Sequence, residues 1–266
     1  MITFSVLTLF PDMIEATLKE GVVGRAFAKG LLKLQTIQLR DYAKQDVHKS
    51  VDDRPYGGGD GMVMMPEPLT KALLHARSQN SLIKVIYLSP QGRLLTQKVA
   101  EELAQYEHLV ILSGRYGGVD QRVLAEYIDE EISIGDYVLS GGELAASVVI
   151  DVVARLKPGV LGHGDSAEQD SFSGDGLLEA PLFTRPRQFE GLDVPEILLS
   201  GDHQKIQRWR YLMSVYNTST KRPDLWVQLC EKNPQLNVEL QDAKDLVKEL
   251  SESQKRACGI LSGTSV

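Results

Sequence analysis

EISIGDYVLSGGELAA, residues 131–146, begins as a β-prone run, breaks twice at glycine and ends in an Ala/Val-rich helical pattern. Ile132 and Ile134 are β-branched residues at alternating positions, which suits a strand. Gly135 interrupts them, Tyr137–Leu139 recover, and Gly141-Gly142 stop the chain again before a helix expected from about Gly142 to Leu156. A strand that hands over to a helix is half of a βαβ unit, and the same handover recurs upstream. IKVIYLS (83–89) is a short apolar run of the kind expected for a strand buried on both faces. A helix over about 96–105, a strand over HLVILSG (108–114) and a helix over 119–128 follow. Nearer the N-terminus, Ile2–Leu9 and Leu32–Leu39 read as strands and Pro66–Gln79 as a helix with proline at its start. Strands alternating with helices of this length predict an α/β fold with a parallel sheet.

The texture changes after Lys157-Pro158-Gly159. LGHGDSAEQDSFSGDG (161–176) is polar, rich in glycine and too weakly apolar to carry a core strand, so it reads as a linker, or as a loop that orders on binding. Beyond it, Asp202 is placed to cap a helix containing QKIQRWRYLMSVY, Lys221-Arg222-Pro223 opens another, and 238–256 has helical periodicity. The final GILSGTSV is expected to fray. The organisation predicted is an α/β domain over 1–160, a flexible linker over 161–176 and a small helical domain over 177–266.

With 266 residues, 42% hydrophobic and 24% charged, the chain has ordinary globular composition and enough length for a sizeable core. No run of about 18 apolar residues predicts a membrane span, and MITFSVLTLFPDM reads as a first strand rather than a signal peptide. Cys230 and Cys258 form no motif, which suits free thiols in a cytoplasmic protein. His48, His75, His108, His163 and His203 show no metal-ligand spacing. The net charge of −7 argues against a protein that simply coats nucleic acid. The charge is uneven, however. Residues 151–180 carry two basic and six acidic side chains. Residues 181–222 carry seven basic ones (Arg185, Arg187, Lys205, Arg208, Arg210, Lys221, Arg222) against Glu190, Asp193, Glu196 and Asp202. A basic lobe or an ordinary solvated surface both fit this pattern.

Three expected strand ends carry similar loops: Ser89-Pro90-Gln91-Gly92, Ser113-Gly114-Arg115-Tyr116-Gly117-Gly118 and the stretch from Gly135 to Gly142. Ligands of open parallel sheets bind beyond the carboxyl ends of the strands. Glycines there let a flat ligand approach the backbone, and converging loops would offer main-chain N–H and C=O groups to an adenine edge and a ribose. The alternative is a set of tight turns. No loop matches the dinucleotide or P-loop glycine pattern. Gly57-Gly58-Gly59-Asp60-Gly61 lies in a polar stretch and reads as a mobile loop, a candidate lid. Arg155 at a helix end and Asp170 in the linker would suit a reaction needing a cationic stabiliser and a base. Their plainer roles are a helix C-terminal cation and a turn former.

The loops, taken together and in order, resemble a known family. DRPYGGGDGMVM (53–64), LSPQGR (88–93), GRYGGVDQR (114–122), SIGDYVLSGGELAA (133–146), RLKPGVLG (155–162), DSFSGDGLLEAPLFTRP (170–186) and LLSGDHQKIQRWR (198–210) resemble the bacterial tRNA (guanine-N1)-methyltransferases that modify guanine 37 beside the anticodon. The resemblance runs to about Arg210 and then weakens. It implies a knotted, SPOUT-class α/β fold in which a deep trefoil knot holds S-adenosylmethionine. It also implies a homodimer with its active site at the subunit interface. The cofactor site would fall on Leu88, Ser89, Pro90, Gly92, Gly114, Ile134, Gly135, Asp136, Tyr137, Val138, Leu139, Gly141 and Gly142. Asp170 matches the family's general base and Arg155 its arginine. The helical lobe would grip the tRNA anticodon stem-loop, with Arg185, Lys205, Arg208 and Arg210 toward phosphates and Trp209 either stacking or packed in the core. The family reads Gly-Arg-Tyr-Glu-Gly where this chain has Gly117, and Gln121 stands where glutamate is common. The missing carboxylate puts in doubt a role in orienting the target base or a magnesium ion.

Two other functions compete. A regulator that binds the cofactor without catalysis is compatible with Gly117. A nicotinamide-dependent oxidoreductase would suit a parallel sheet, but it lacks the glycine pattern and the acidic residue about 20 positions on.

Overall fold

The computed structural model describes residues 1–44, 49–77, 82–161 and 170–260. The chain divides into two compact units, Met1–Gly164 and Asp165–Val266. Of the stretch expected as a linker, residues 162–169 lie outside the described ones, as do His48 and His163.

The first unit opens with β1 (Ile2–Thr8), the short helices α1 (Pro11–Leu18) and α2 (Gly21–Ala28), and β2 (Leu32–Gln38). A small antiparallel pair, β3 (Asp52–Asp53) and β4 (Val63–Met64), precedes α3 (Pro66–Arg77). Then come β5 (Ile83–Leu94), α4 (Gln97–Leu103), β6 (His108–Leu112), α5 (Gln121–Tyr127), β7 (Glu130–Ser133) and α6 (Glu143–Arg155). Five strands form one sheet in the order β2-β1-β6-β5-β7, with every pairing parallel. This is the α/β architecture expected, with α1 and α2 added. Each of those helices has only eight residues, too few for a clear apolar stripe.

The strands alternate between two buried faces. Phe4, Val6, Ile86, Leu88, Leu109 and Ile111 join a cluster with residues of α1, α2, α4 and α6. Leu7, Val85, Tyr87, Val110 and Leu112 join another with residues of α3 and α5. Burial on both faces explains why β5 and β6 read as continuous apolar runs. Each large side chain withdrawn from water contributes about 1.5–3 kcal/mol before entropy is counted. Local chemistry sets the helix starts. Thr96 Oγ1 accepts from Val99 N at the head of α4, and Asp120 accepts from Arg122 N at the head of α5.

One expectation is corrected here. Ser89-Pro90-Gln91-Gly92 is not a loop after the strand but a bulge inside β5. Leu88 and Arg93 both align with Ile132 of β7, and the four residues between them bulge out of register. Gly92 is required by that geometry, since a Cβ on it would lie 2.4 Å from the backbone of Glu131 and Ile132.

Among the described residues the second unit contains a hairpin, β8 (Gln188–Phe189) with β9 (Leu192–Asp193), a 3-10 turn at Glu196–Leu199, and four α-helices. These are α7 (His203–Lys221), α8 (Pro223–Lys232), α9 (Gln235–Glu249) and α10 (Glu252–Ala257). Asp202 caps α7 by accepting from Lys205 N at 3.1 Å, and Pro223 opens α8, both as the sequence predicts. The helix expected over 238–256 is instead two. Leu250 leaves the helical conformation, and Ser251 restarts the chain through a capping box with Gln254. Trp209, Met213, Val215, Leu236, Ala243 and Val247 form the core, so Trp209 packs rather than stacks in solvent. Ile260 is buried in the same core, so the expected fraying does not begin at Gly259. No described helix is long and apolar enough to cross a membrane.

Candidate functional site

The carboxyl ends of β5, β6 and β7 border a cleft of about 370 Å³. Most of its lining comes from three segments: Tyr87–Gln91 from β5 and its bulge, Gly114–Val119 after β6, and Glu131–Gly135 with Tyr137–Gly142 from β7 and the loop that follows it. Of the residues expected at a cofactor site, Leu88, Ser89, Pro90, Gly114, Ile134, Gly135, Tyr137, Val138, Leu139, Gly141 and Gly142 border this cleft, and Gly92 and Asp136 do not. The structure therefore gathers at one place the three segments that sequence reading singled out. It also adds lining residues not named for the cofactor site, among them Tyr87, Arg115, Glu131 and Ser133. Each of these lies within or beside a stretch already marked by glycine, so adjacency was the available signal.

Packing within the protein requires most of these glycines, because their missing Cβ atoms would strike protein atoms. A Cβ on Gly114 would lie 2.8 Å from the Tyr87 ring, one on Gly141 2.1 Å from Arg115 Nε, and one on Gly142 2.8 Å from Ser113 Cα. Gly135 has φ +147°, and a Cβ there would meet the Tyr137 ring at 2.5 Å. The glycines let the loops close on one another, and the cleft is what the closed loops enclose.

Hydrogen bonds fix the loop shapes. Gln91 N donates to Ser89 Oγ at 3.1 Å, Gly142 N to Gly114 O at 2.9 Å, and the Tyr137 hydroxyl to Ile134 O at 3.2 Å. Burial raises the pKa of the Tyr87 phenol, and the nearby Glu131 carboxylate adds to the effect, so Tyr87 stays a neutral donor. The cleft thus combines an apolar floor (Leu88, Ile132, Ala145), many backbone groups and a carboxylate at Glu131. That mixture suits a nucleoside with a cationic appendage.

The glycine stretch 57–61, expected as a candidate lid, is the exposed tip of the β3–β4 hairpin. Its stem is tied to the middle loop of the cleft. Met64 N donates to Gly118 O at 2.9 Å and Gly117 N to Met62 O at 2.8 Å. A side chain on Gly117 would place its Cβ 3.0 Å from Met62 O, so glycine fits this close stem without displacement. Among the described residues no group of three or more His, Cys, Asp or Glu is arranged to hold a metal.

Arg155 is the last residue of α6 in the first unit and is half-buried. Asp170 belongs to the second unit, where it borders a cleft of about 1120 Å³ together with Arg185, Arg187, His203 and Arg210. Lys205 and Arg208 are not on that cleft. Lys205 pairs with Asp202 at 3.3 Å, while Arg208 pairs with Asp242 at 2.8 Å and lies over the Tyr211 ring. Tyr211 itself donates to Glu239, and burial together with that carboxylate pushes its pKa well above the ordinary phenol range.

Comparison with known proteins adds to this geometry. A family profile described as tRNA (Guanine-1)-methyltransferase TrmD matches residues 2–228. A protein of Shewanella halifaxensis (strain HAW-EB4) named tRNA (guanine-N(1)-)-methyltransferase is 55% identical over 245 residues, covering 92% of this chain and 98% of that one. Proteins of the same name from Pseudoalteromonas translucida (strain TAC 125) and Shewanella woodyi (strain ATCC 51908 / MS32) are 50% and 58% identical. The first covers 96% of both chains, and the second covers 83% of this chain and 88% of the relative.

Proposed function

The chain belongs to the tRNA (guanine-1)-methyltransferase family, and from that membership we propose that it transfers a methyl group from S-adenosylmethionine to N1 of guanine 37 in tRNA. The observation that carries this reading is the cleft at the ends of β5, β6 and β7, built from the backbone of the β5 bulge and of the loops after β6 and β7, which close on one another. Its volume suits a nucleoside, and Glu131 offers a carboxylate to a cationic ligand. When bound there, S-adenosylmethionine supplies an electrophilic methyl group.

The protein's own part is alignment and proton management. Guanine N1 carries a proton and is a weak nucleophile until that proton leaves. Asp170 is the general base that takes it. Negative charge then gathers on guanine O6, and Arg155 stabilises it. Asp170 belongs to the second unit and Arg155 to the first. The first unit is the cofactor-binding domain. The second is the tRNA-binding domain, with Arg185 and Arg210 on its cleft toward phosphates. Bases of an anticodon loop leave their stack at low cost, which makes guanine 37 accessible to a pocket.

The reading extends to a trefoil knot and a homodimer. The strand order is compatible with the knot: β6 and β7 flank β5 on opposite sides, and the connection between them runs through α5. Support for the dimer comes from apolar side chains in solvent, Leu144 and Val148 one turn apart on α6 and Met13 on α1. A thermal-shift titration tests the cofactor assignment. S-adenosylhomocysteine is expected to raise the melting temperature in proportion to occupancy, and NAD to leave it unchanged. The reverse result would contradict the cofactor assignment.

A further inference from the structure

Among the described residues, Glu143 is the one fully buried carboxylate, at 1% exposure. Such a group persists in a core only when its oxygens are satisfied. Oε1 accepts from Thr8 Oγ1 at 2.8 Å, and Oε2 accepts from Arg115 Nε at 2.9 Å. Thr8 Oγ1 in turn accepts from Phe10 N at 2.9 Å. Arg115 also donates through Nη1 to Ser140 O at 3.2 Å, and its guanidinium lies 4.5 Å from the centroid of the Phe10 ring. It passes directly over Gly141, and an antiparallel bridge joins the backbones of the two residues. The end of β1, the loop after β6, the loop after β7 and the head of α6 therefore converge on one carboxylate. Two of those four segments line the cleft, and Arg115 borders it.

We propose that Arg115, held by Glu143 and Thr8, is a positioning residue for the methyl donor: it sets the spacing between residues 114–118 and 134–142, the two loops that grip the donor's nucleoside. The inference rests on the donor occupying this cleft. It assigns Arg115 no contact with the transferred methyl group and no role toward tRNA. The planar fork of arginine is what allows one side chain to meet Glu143, Ser140 O and the Phe10 face together, and the single ammonium of lysine does not.

The test uses the full chain, as wild type and as the Arg115→Lys and Thr8→Val variants. S-adenosylhomocysteine is titrated by calorimetry, and methyl transfer is assayed with donor and tRNA varied separately. Arg115→Lys is expected to bind S-adenosylhomocysteine about tenfold more weakly and to raise the donor KM by a similar factor, with the tRNA KM unchanged. Thr8→Val, the gentler change, is expected to show the same split at smaller size, and it decides the matter alone if Arg115→Lys does not fold. Wild-type affinity and donor KM in the variants would overturn the positioning role. So would a fall in kcat with both KM values unchanged, the mark of lost folded protein. Failure of the wild type itself to bind S-adenosylhomocysteine would instead remove the donor from the cleft, and the inference with it.

Discussion

Gly141 and Arg115 occupy one another's space: a Cβ on the glycine would lie 2.1 Å from Nε of the arginine. The guanidinium is held by Glu143 and Ser140 O, so it cannot swing aside freely. Gly141→Ala is therefore expected to behave as an overpacked site, costing about 1–3 kcal/mol of stability. Urea denaturation checks the cost, and calorimetry with S-adenosylhomocysteine is expected to show weakened binding alongside it. An alanine variant with unchanged stability and affinity would mean that the loops have slack.

Much of the first unit was legible because its strands are buried on both faces. Ile83–Leu88 and His108–Leu112 carry apolar residues at every position or nearly so, and helices lie between them. The bulge at Ser89–Gly92 was not legible, because the register slip is a relation between β5 and β7 and neither segment records it alone. The glycine loops were found for an incomplete reason. Their positions stand out in the sequence, but the atoms that exclude a Cβ, such as Tyr87 beside Gly114 and Glu131 beside Gly92, come from other elements. The Arg115–Glu143 pair spans 28 residues and left no local trace. In the second unit, helical periodicity over 238–256 masked the break at Leu250, although Ser251 and Gln254 are spaced as a capping box.

The general-base assignment predicts a division of labour. Asp170→Ala is expected to lose about 10²–10⁴-fold in turnover while S-adenosylhomocysteine binds as before. Arg155→Ala is expected to lose about 10²–10³-fold in single-turnover rate. Near-normal rates in either variant would remove that residue from the chemistry.

The two arginines of α7 are expected to differ. Arg208 is engaged with Asp242, whereas Arg210 is exposed on the cleft of the second unit. Arg210→Ala is expected to weaken tRNA binding and lower its salt slope by about 1. Arg208→Ala is expected to leave the slope intact and cost under about 1 kcal/mol of stability. Binding measured across a salt series distinguishes them, and equal slopes for both variants would contradict the assignment.

His108 gives the fold a pH dependence. It is buried at the start of β6 with Nε2 on Ser5 Oγ at 2.8 Å, and its Nδ1 makes no hydrogen bond among the described residues. Burial first, and then the charge of Lys33, lower its pKa from the ordinary 6.5. The unfolded chain therefore takes up a proton at a pH where the folded chain does not. Stability is expected to be unaffected above pH 6.5 and to fall as pH drops below it, by at most about 1.4 kcal/mol per unit. Melting temperatures between pH 5 and 7 check this, with His108→Asn expected to flatten the curve in that window. An unchanged slope in the variant would assign the effect elsewhere.

The most direct test of the account is labelled methyl transfer to a tRNA transcript with guanine at position 37, run beside the same transcript with adenine there. One methyl group per guanine-37 transcript, mapped to N1, is expected, and none on the adenine-37 control. No transfer to either transcript, or equal transfer to both, would contradict the account.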